Sequence, residues 1–251
     1  MRTVFFLLFT FMISNVANAG IILLEDFEDS TVSYSSSVAD DLSDISSRDY
    51  FGRIASDTAS PPADVLYNNI QGNGYFGVQD TDGANSGNID TVTLDWTGIS
   101  INNFTGLSLS WFVAEDSSSD GEEDWDSTTS FQMLFQIDGG GFQVFFAIES
   151  ELGTDADFTN EAPHVDTNFN GEGDGTEITD TFTQYSYLIG ATGSLLDIKV
   201  VFDEFNAGDE DLAFDNLLLS GDIIEVPEPS IFAIFALGMI GLAARRFKKQ
   251  S

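Results

Sequence analysis

Hydrophobic and polar residues alternate with a period of two along most of the chain between residues 20 and 224. In one such segment Leu107, Leu109, Trp111 and Val113 occupy every second position. Successive side chains of a strand point to opposite faces, so this alternation predicts strands with one buried face. The same pattern predicts strands near residues 21–27, 50–55, 75–79, 89–96, 107–113, 131–137, 142–148, 182–189, 196–202 and 212–219. No stretch of this region has a helical period of useful length.

Turn residues separate the alternating segments. Asp138-Gly139-Gly140-Gly141 lies between two of them and predicts a hairpin, because glycine tolerates a positive φ. Many short strands with Gly- and Asp-rich turns predict an all-β fold, an antiparallel β-sandwich of the jelly-roll type. The opening segment 23–28 and the closing segment 213–219 resemble the bracketing strands of jelly-roll, lectin-like ectodomains of exported bacterial proteins.

The N-terminus has the pattern of a secretory signal peptide. Met1-Arg2-Thr3 is a short positive region, Val4–Ile13 is apolar, and Ala17-Asn18-Ala19 is a small-residue cleavage site. We therefore predict that residues 1–19 are removed and that residues 20–224 form a single ectodomain.

The C-terminus combines a stiff spacer, an apolar segment and a basic cluster. Proline at 227 and 229 fixes φ and predicts an extended spacer over 225–230. Ile231–Ala244 is uncharged and predicts a membrane helix, and the basic residues of 245–251 predict a cytoplasmic tail. The apolar segment has 14 residues and spans roughly 21 Å, less than the core of about 30 Å of a bilayer. This length favours transient membrane insertion over a permanent anchor.

These C-terminal features resemble the PEP-CTERM sorting signal of exported bacterial proteins. The resemblance rests on Pro227, Glu228 and Pro229, on the apolar segment from Ile231, and on Arg245 and Arg246. It implies processing by a membrane-embedded exosortase. It also implies export through the inner membrane to the cell surface, or to the extracellular polysaccharide matrix, of a Gram-negative bacterium. A plain membrane anchor with a Pro-rich spacer is the alternative. The resemblance implies no activity for the ectodomain.

The chain is strongly acidic, with 8 Lys+Arg, 42 Asp+Glu and a formal net charge of −34. Within residues 20–224 the basic side chains are Arg48, Arg53 and Lys199. Nucleic acids and anionic lipids are therefore poor electrostatic partners of the ectodomain, since binding them through charge requires Lys and Arg. The self-repulsion must be offset by salt or by divalent cations. No cysteine is present, so stability has to come from the core, from metal or from both.

The acidic residues concentrate in alternate connections between the predicted strands. Antiparallel strands reverse direction, so alternate connections share one end of a sandwich. The long acidic connections are 80–88, 115–129, 150–180 and 203–211, and the short ones are 97–103, 138–141 and 190–194. We therefore predict one acidic end that binds calcium ions, because so many carboxylates repel each other unless cations lie between them.

One acidic connection has the residue spacing of a calcium-binding loop. The segment 166–177 fits Asp-x-Asn-x-Asn-Gly-x5-Glu and resembles an EF-hand loop, with strand-like rather than helical flanks. The resemblance implies calcium ligands from Asp166, Asn168, Asn170, the Glu172 carbonyl, Asp174 and a bidentate Glu177. Calcium would hold structure there. The alternative is a solvated Gly/Asn/Asp loop.

Several catalytic chemistries are excluded by what the chain lacks. His164 is the only histidine, and we expect it in an exposed loop. With no cysteine and a single histidine, serine triads, cysteine nucleophiles and His-rich zinc sites are mostly excluded. A glycosidase that uses two carboxylates stays open. We expect Trp96 and Trp111 in the core, and Trp125 either as an exposed platform for sugar stacking or as a side chain that pins its loop.

We therefore predict a non-catalytic structural or adhesive protein, with binding of extracellular polysaccharide as an additional role. A calcium-dependent glycoside- or polysaccharide-cleaving enzyme is the alternative.

Overall fold

The alternating segments fold as strands in a computed structural model of the protein. It describes residues 19–58, 60, 65–84, 89–116, 125–151 and 162–224, together with 235, 238 and 239. All ten predicted strands form, with ends within a few residues of those expected. The short strands 35–36, 41–44 and 163–165 were not predicted, because two to four residues are too few to show a period.

The strands form two antiparallel sheets. The seven-stranded sheet contains β1 (Ala19–Glu25), β3 (Asp41–Asp44), β4 (Asp49–Ile54), β5 (Tyr75–Gln79), β7 (Phe104–Ala114), β11 (Thr183–Ile189) and β13 (Asp211–Ile223). The six-stranded sheet contains β2 (Ser35–Ser36), β6 (Thr91–Ser100), β8 (Ser130–Ile137), β9 (Gln143–Ser150), β10 (Pro163–Val165) and β12 (Leu195–Asp203). The helical elements are a 3-10 turn at Ile45–Ser47 and the short α1 at Thr81–Ala84.

The chain crosses repeatedly between the sheets. The strand order is β11-β7-β13-β5-β4-β3 in one sheet and β10-β9-β8-β12-β6-β2 in the other. The long strand β13 pairs with β5 through its first four residues and with β1 along its second half, on the same side. Successive strands from β5 to β8 lie alternately in the two sheets, and so do successive strands from β10 to β13. Strands β8, β9 and β10 are neighbours in the same sheet. This is the predicted all-β sandwich of the jelly-roll type.

The space between the sheets is filled by aromatic and branched side chains. Trp111 packs edge-to-face on Phe146 with ring centroids 5.0 Å apart, and Phe76 stacks on Phe202 at 5.9 Å. Trp96 is also buried and donates its indole N–H to the Ser33 hydroxyl at 2.9 Å. Burying each large apolar side chain stabilises the fold by about 1.5–3 kcal/mol. Trp96 and Trp111 are therefore core residues, as predicted.

The outer face of the seven-stranded sheet is half covered. Near β4 and β5 a second apolar cluster includes Tyr50, Tyr75 and Phe182, with Tyr67 and Ile70 packed against it. The covering segments 65–74 and 178–182 are joined by an isolated bridge. The other half of this outer face, formed by β11, β7, β13 and β1, carries no such cover from the described residues.

The Gly72–Gly77 segment is a turn that leads into β5. Gly72 has a φ of +99°, a conformation that glycine adopts without strain. A Cβ at this position would collide with the carboxylate of Glu28. The G-x-G-x-x-G spacing of Gly72, Gly74 and Gly77 therefore leads directly into strand β5 and not into a helix.

The two terminal signals lie almost entirely outside the described residues. The predicted signal peptide 1–19 contributes only Ala19, which begins β1. Of residues 225–251, only Phe235, Gly238 and Met239 are described, and they are helical. Within the described part of the chain, no helix has the length and apolarity needed to cross a membrane.

Candidate functional site

The long acidic connections meet at one end of the sandwich, which we call the acidic end. Hydrogen bonds of 2.7–3.1 Å join them, between Thr81 and Phe205, Asp90 and Glu204, Thr129 and Glu204, and Glu115 and Thr179. The short connections lie at the opposite, short-loop end, where the Ile101 N–H donates to the Ser194 carbonyl at 2.9 Å. The predicted separation of long and short connections is confirmed for the described residues.

Two buried carboxylates of the acidic end, those of Glu210 and Asp211, accept hydrogen bonds from internal donors. Glu210 accepts hydrogen bonds from the Thr129 hydroxyl and from the backbone N–H groups of Asp126 (3.1 Å), Asn206 (2.6 Å) and Ala207 (3.0 Å). Burial raises the pKa of Glu210 to about 7, although these donors lower it. The side chain therefore holds the 115–129 connection to its own connection, 203–211.

Asp211 plays a similar part at the junction of β13 with the covering segment. It accepts a hydrogen bond from the Tyr67 hydroxyl at 2.5 Å and one from the Asp116 N–H at 3.0 Å. Burial raises its pKa to about 7. In the described part of the chain, no three His, Cys, Asp or Glu side chains form a group that could hold a metal ion.

The segment 166–177 forms a tight loop organised by two carboxylates. Asp166 is 2 % exposed and accepts backbone N–H groups from Asn168 (3.0 Å), Phe169 (2.6 Å) and Gly171 (2.9 Å). Asp174 accepts a hydrogen bond from the Asn168 amide at 2.6 Å. Three of the six predicted calcium ligands, Asp166, Asn168 and Asp174, are thus brought together.

The remaining predicted ligands are placed around this turn. The Asn170 side-chain oxygen accepts the Glu172 N–H at 3.1 Å, and Glu177 pairs through its backbone with His164. The Thr167 N–H and hydroxyl donate to Asp174 and lower the pKa of this carboxylate. The flanks of the loop are extended, as the sequence predicts. The calcium assignment stays a prediction.

Two expectations about single side chains were wrong. Trp125 is fully buried and packs edge-to-face on Phe205, with ring centroids 5.0 Å apart. Its acidic neighbours in the sequence suggested exposure, but the indole fills the core beneath the acidic end. His164 lies half-buried in β10, directly opposite Glu149, because its segment adds a short edge strand to the six-stranded sheet.

The outer face of the six-stranded sheet is half-exposed across its centre. We call it the open face and define it by the outward side chains of β6, β12 and β8. These are Thr93, Asp95, Asp197, Lys199, Val201, Gln132, Leu134 and Gln136, all of intermediate burial. The strand registers place them in rows, with Asp95, Lys199 and Leu134 in one row and Thr93, Val201 and Gln132 in the next.

Polar groups of the open face hold each other in place. The Lys199 ammonium lies 2.9 Å from the Asp95 carboxylate, which also accepts the Thr93 hydroxyl at 2.8 Å. Asp197 accepts the Gln136 amide at 2.7 Å and the Gly98 N–H at 2.6 Å. These contacts order the side chains before any ligand arrives, which lowers the entropy lost on binding.

Apolar groups lie between and beside these polar groups. Leu134 faces Val144 of β9 across the sheet, and Val201 lies in the row beside it. The ring of Phe142 is 39 % exposed at the edge, with the Lys199 ammonium 5.4 Å from its centre. The open face therefore combines hydrogen-bonding groups with an apolar strip. Sequence reasoning missed this site, although the alternation had already placed these residues outside the core.

Two cavities lie elsewhere on the sandwich. One, of about 430 Å³, is bordered by Tyr67, Tyr75 and Asn73 near the covering segment. The other, of about 530 Å³, lies at the sandwich edge beside Tyr34, Arg53 and Asp40. Neither is bordered by two carboxylates among the described residues, so neither has the acid pair that glycoside hydrolysis requires.

Comparison with protein families identifies the C-terminus. Residues 225–249 match the PEP-CTERM protein-sorting motif. The motif contains the predicted sorting residues Pro227, Glu228, Pro229, Arg245 and Arg246. It marks the chain as an exported protein that is processed at a membrane. No curated protein matches the sequence.

Solved structures resemble the sandwich only distantly. A Stig cyclase from Fischerella sp. TAU has 14 % identity and a TM-score of 0.46, covering 83 % of this chain and 100 % of its own. A family 22 carbohydrate-binding module from Clostridium thermocellum has 8 % identity and a TM-score of 0.40, with coverage of 82 % and 98 %. A family 35 module from Paenibacillus barcinonensis has 13 % identity and a TM-score of 0.28, with coverage of 74 % and 97 %. Similarity this low carries no information about function.

Proposed function

We propose that the exported sandwich is a non-catalytic module that binds neutral polysaccharide through the open face. It thereby attaches the protein to the cell surface or to the exopolysaccharide matrix. The observation that carries this proposal is the combination of ordered polar side chains with an apolar strip on one exposed sheet. A sugar ring presents the same combination, with hydroxyls at its edge and C–H groups on its faces.

The polar groups suit sugar hydroxyls, which both donate and accept hydrogen bonds. A carboxamide such as Gln132 or Gln136 offers two N–H donors and a carbonyl acceptor, and each carboxylate offers several acceptor sites. Asp197 and Asp95 are fixed by neighbours on the same face. These groups therefore hold directions that match one arrangement of hydroxyls better than another, which gives specificity.

The apolar strip suits the faces of the sugar ring. Leu134, Val144 and Val201 lie side by side, and Phe142 provides an exposed aromatic ring at the edge. Covering this surface removes apolar area from water at about 25 cal/mol per Å². Binding would use both kinds of contact at once.

Charge restricts the class of polysaccharide. The chain carries a formal net charge of −34, and Lys199 is the only basic residue of the open face. Because Lys199 already pairs with Asp95, it adds little attraction for an anionic sugar. A neutral polysaccharide therefore fits the face better than a uronic-acid polymer.

Calcium binding by the 166–177 loop is a structural part of the proposal. Asp166, Asn168 and Asp174 lie together, and Asn170, Glu172 and Glu177 belong to the same loop. All six offer oxygen atoms, the ligands that calcium prefers. A bound ion would lower the repulsion among carboxylates of the acidic end and brace the loop against β9, to which Gly173 already donates a backbone hydrogen bond at 2.8 Å.

The delivery route follows from the C-terminal motif. An exosortase-type membrane enzyme is the proposed partner of residues 225–249, acting on an intermediate held in the inner membrane of a Gram-negative cell. The segment 231–244 would insert only transiently. This route would leave the sandwich on the outside, where polysaccharide is available.

A carboxylate-dependent glycosidase is the second candidate, and one observation favours it. Glu149 and Asp203 flank Ser130 in one row at the edge of the open face. Burial raises the pKa of Glu149 to about 7, with smaller contributions from the charges of Asp166 and Asp203. A protonated Glu149 could act as a general acid.

The test measures retention of the full chain on immobilised neutral and acidic polysaccharides. We expect retention on at least one neutral polymer and its loss in the variants Gln136→Ala and Lys199→Met. Ser186→Ala, on the outer face of the other sheet, is the matched control and should bind normally. Unchanged retention in both open-face variants would refute the proposal. Release of reducing sugar that is abolished by Glu149→Gln would favour the glycosidase.

A further inference from the structure

The uncovered half of the seven-stranded sheet presents apolar side chains to solvent. Leu188, Ser108, Ser220 and Ile21 lie in one row across β11, β7, β13 and β1. Leu188 is 74 % exposed and Ile21 is 68 % exposed. The two serines between them are small and uncharged, so the row forms a smooth surface with an apolar group at each edge.

This surface continues to the point where the chain leaves the sandwich. Ile224 is about half exposed, and its N–H donates to the Asn103 carbonyl at the short-loop end. Leu24, paired with Leu218, is 45 % exposed in the next row. We define the exit patch as Ile21, Leu24, Leu188 and Ile224. Monomeric proteins rarely leave such groups of apolar side chains exposed without an interaction surface.

The length of the following chain places the exit patch near a membrane. The six residues 225–230 separate Ile224 from the apolar segment of the sorting motif. Six extended residues reach at most about 20–22 Å. While the motif is held at the membrane for processing, the short-loop end therefore cannot move farther than this from the lipid surface.

The charge distribution favours one orientation of the tethered domain. The acidic connections lie at the opposite end of the sandwich, and an anionic lipid surface repels them. Acidic side chains near the exit patch are Asp222, on β13, and Asp138. The Asp138 carboxylate accepts the N–H groups of Ser194 (3.1 Å) and Leu195 (2.9 Å). The attraction of lipid for apolar groups and its repulsion of charge therefore act in the same direction.

We propose that the exit patch rests on the lipid surface during the membrane-bound stage and turns the acidic end away from it. In this orientation the uncovered half of the seven-stranded sheet meets the bilayer near the short-loop end, and the strands are tilted so that the acidic end and the open face of the other sheet point away from the lipid. The interaction is peripheral and reversible, since a few apolar side chains give only weak interfacial binding. It ends when the C-terminal segment is removed or released.

The cysteine-free chain allows a direct test with single-cysteine variants. The full chain is reconstituted into vesicles with about 30 mol % anionic lipid, and an environment-sensitive dye is attached at Ile21→Cys or Leu188→Cys. Phe169→Cys, at the acidic end and 50 % exposed, is the matched control. We expect a blue-shifted emission and quenching by brominated lipid at positions 21 and 188, but not at 169.

A second variant separates docking from simple tethering. Leu24→Ser combined with Ile224→Ser, read by the dye at position 188, should reduce the quenching at least about twofold because apolar contact area is lost. Val32→Ser, exposed outside the patch, should leave it unchanged. Equal emission at positions 21, 188 and 169 in folded protein would overturn the proposal. Such a result would leave polysaccharide binding by the open face unaffected.

Discussion

Lys199 and Asp95 form an ion pair of 2.9 Å on the outer face of the six-stranded sheet, each side chain less than a third exposed. The pair joins β12 to β6 in the middle of the open face, and the same ammonium lies 5.4 Å from the centre of the Phe142 ring. The lysine therefore has structural contacts on both sides. A ligand on this face would meet a fixed charge pair.

Replacing Lys199 should separate stability from binding. Lys199→Met removes the ion pair but keeps the length of the side chain, so unfolding free energy should fall by about 1 kcal/mol or less. Polysaccharide retention should fall much more, because Asp95 loses the partner that fixes it. Denaturant unfolding and retention on the neutral polymer measure the two effects. If retention fell only in proportion to the loss of unfolding free energy, in Lys199→Met as in Ser186→Ala, a binding role of Lys199 would be contradicted.

Replacing the buried Trp125 should reduce stability strongly, unlike replacing a residue of the open face. Trp125→Ala should lower the free energy of unfolding by about 3–5 kcal/mol, because it leaves a cavity against Phe205. Phe142→Ala, at a half-exposed edge position, should cost about 1 kcal/mol or less. Thermal unfolding of both variants provides the comparison. Similar small losses for both substitutions would mean that Trp125 is not a core residue in solution.

The sandwich and its acidic end could be predicted from the sequence because both depend on local patterns. Period-two alternation identifies strands such as β7 and β12 whether or not their neighbours are known. The separation of long and short connections then follows from the reversal of antiparallel strands. The burial of Trp125 could not be predicted in this way. Its flanking aspartates indicate exposure, whereas its burial depends on contact with Phe205, 80 positions later in the chain.

The open face shows a second limit of sequence reasoning. Alternation places Gln132, Leu134 and Lys199 outside the core, but it does not tell which strands are neighbours. The pairing of β12 with both β6 and β8 brings the three residues onto one surface. That pairing joins residues about 65 positions apart in one case and more than 100 in the other. It is decided by the topology of the whole sandwich.

Asp215 should make the stability of the domain depend on pH. Burial raises the pKa of this side chain to about 8 from 3.8, and the negative charges of Glu28 and Asp26 add to the rise. Between these two values the folded state keeps a proton that the unfolded state has lost, so stability falls as the pH rises. The stabilisation that comes from keeping Asp215 protonated is complete below pH 3.8 and is lost as the pH rises to about 8.

The variant Asp215→Asn removes this titration. Between pH 5 and pH 9, its advantage in unfolding free energy over the original chain should grow by about 4 kcal/mol, most of it between pH 5 and pH 8. Denaturant unfolding at several pH values measures the difference. Asp90→Asn, an exposed change of the same charge, controls for net charge. A stability difference that stays constant with pH, or that shrinks toward pH 9, would show that Asp215 does not hold a proton in the folded state.

Calcium should stabilise the full chain through the 166–177 loop. If the folded loop binds the ion and the unfolded chain does not, a calcium concentration about 100-fold above Kd adds about 2.7 kcal/mol to the free energy of unfolding. The unfolding temperature should therefore rise with calcium and fall with a chelator. Glu177→Gln and Asp166→Asn should abolish the shift, since each removes a charged ligand. Asp90→Asn removes the same charge from a neighbouring connection and should keep the shift. An unfolding temperature that calcium does not change would remove the proposed site, and an equal loss in all three variants would assign the effect to the net charge of the acidic end.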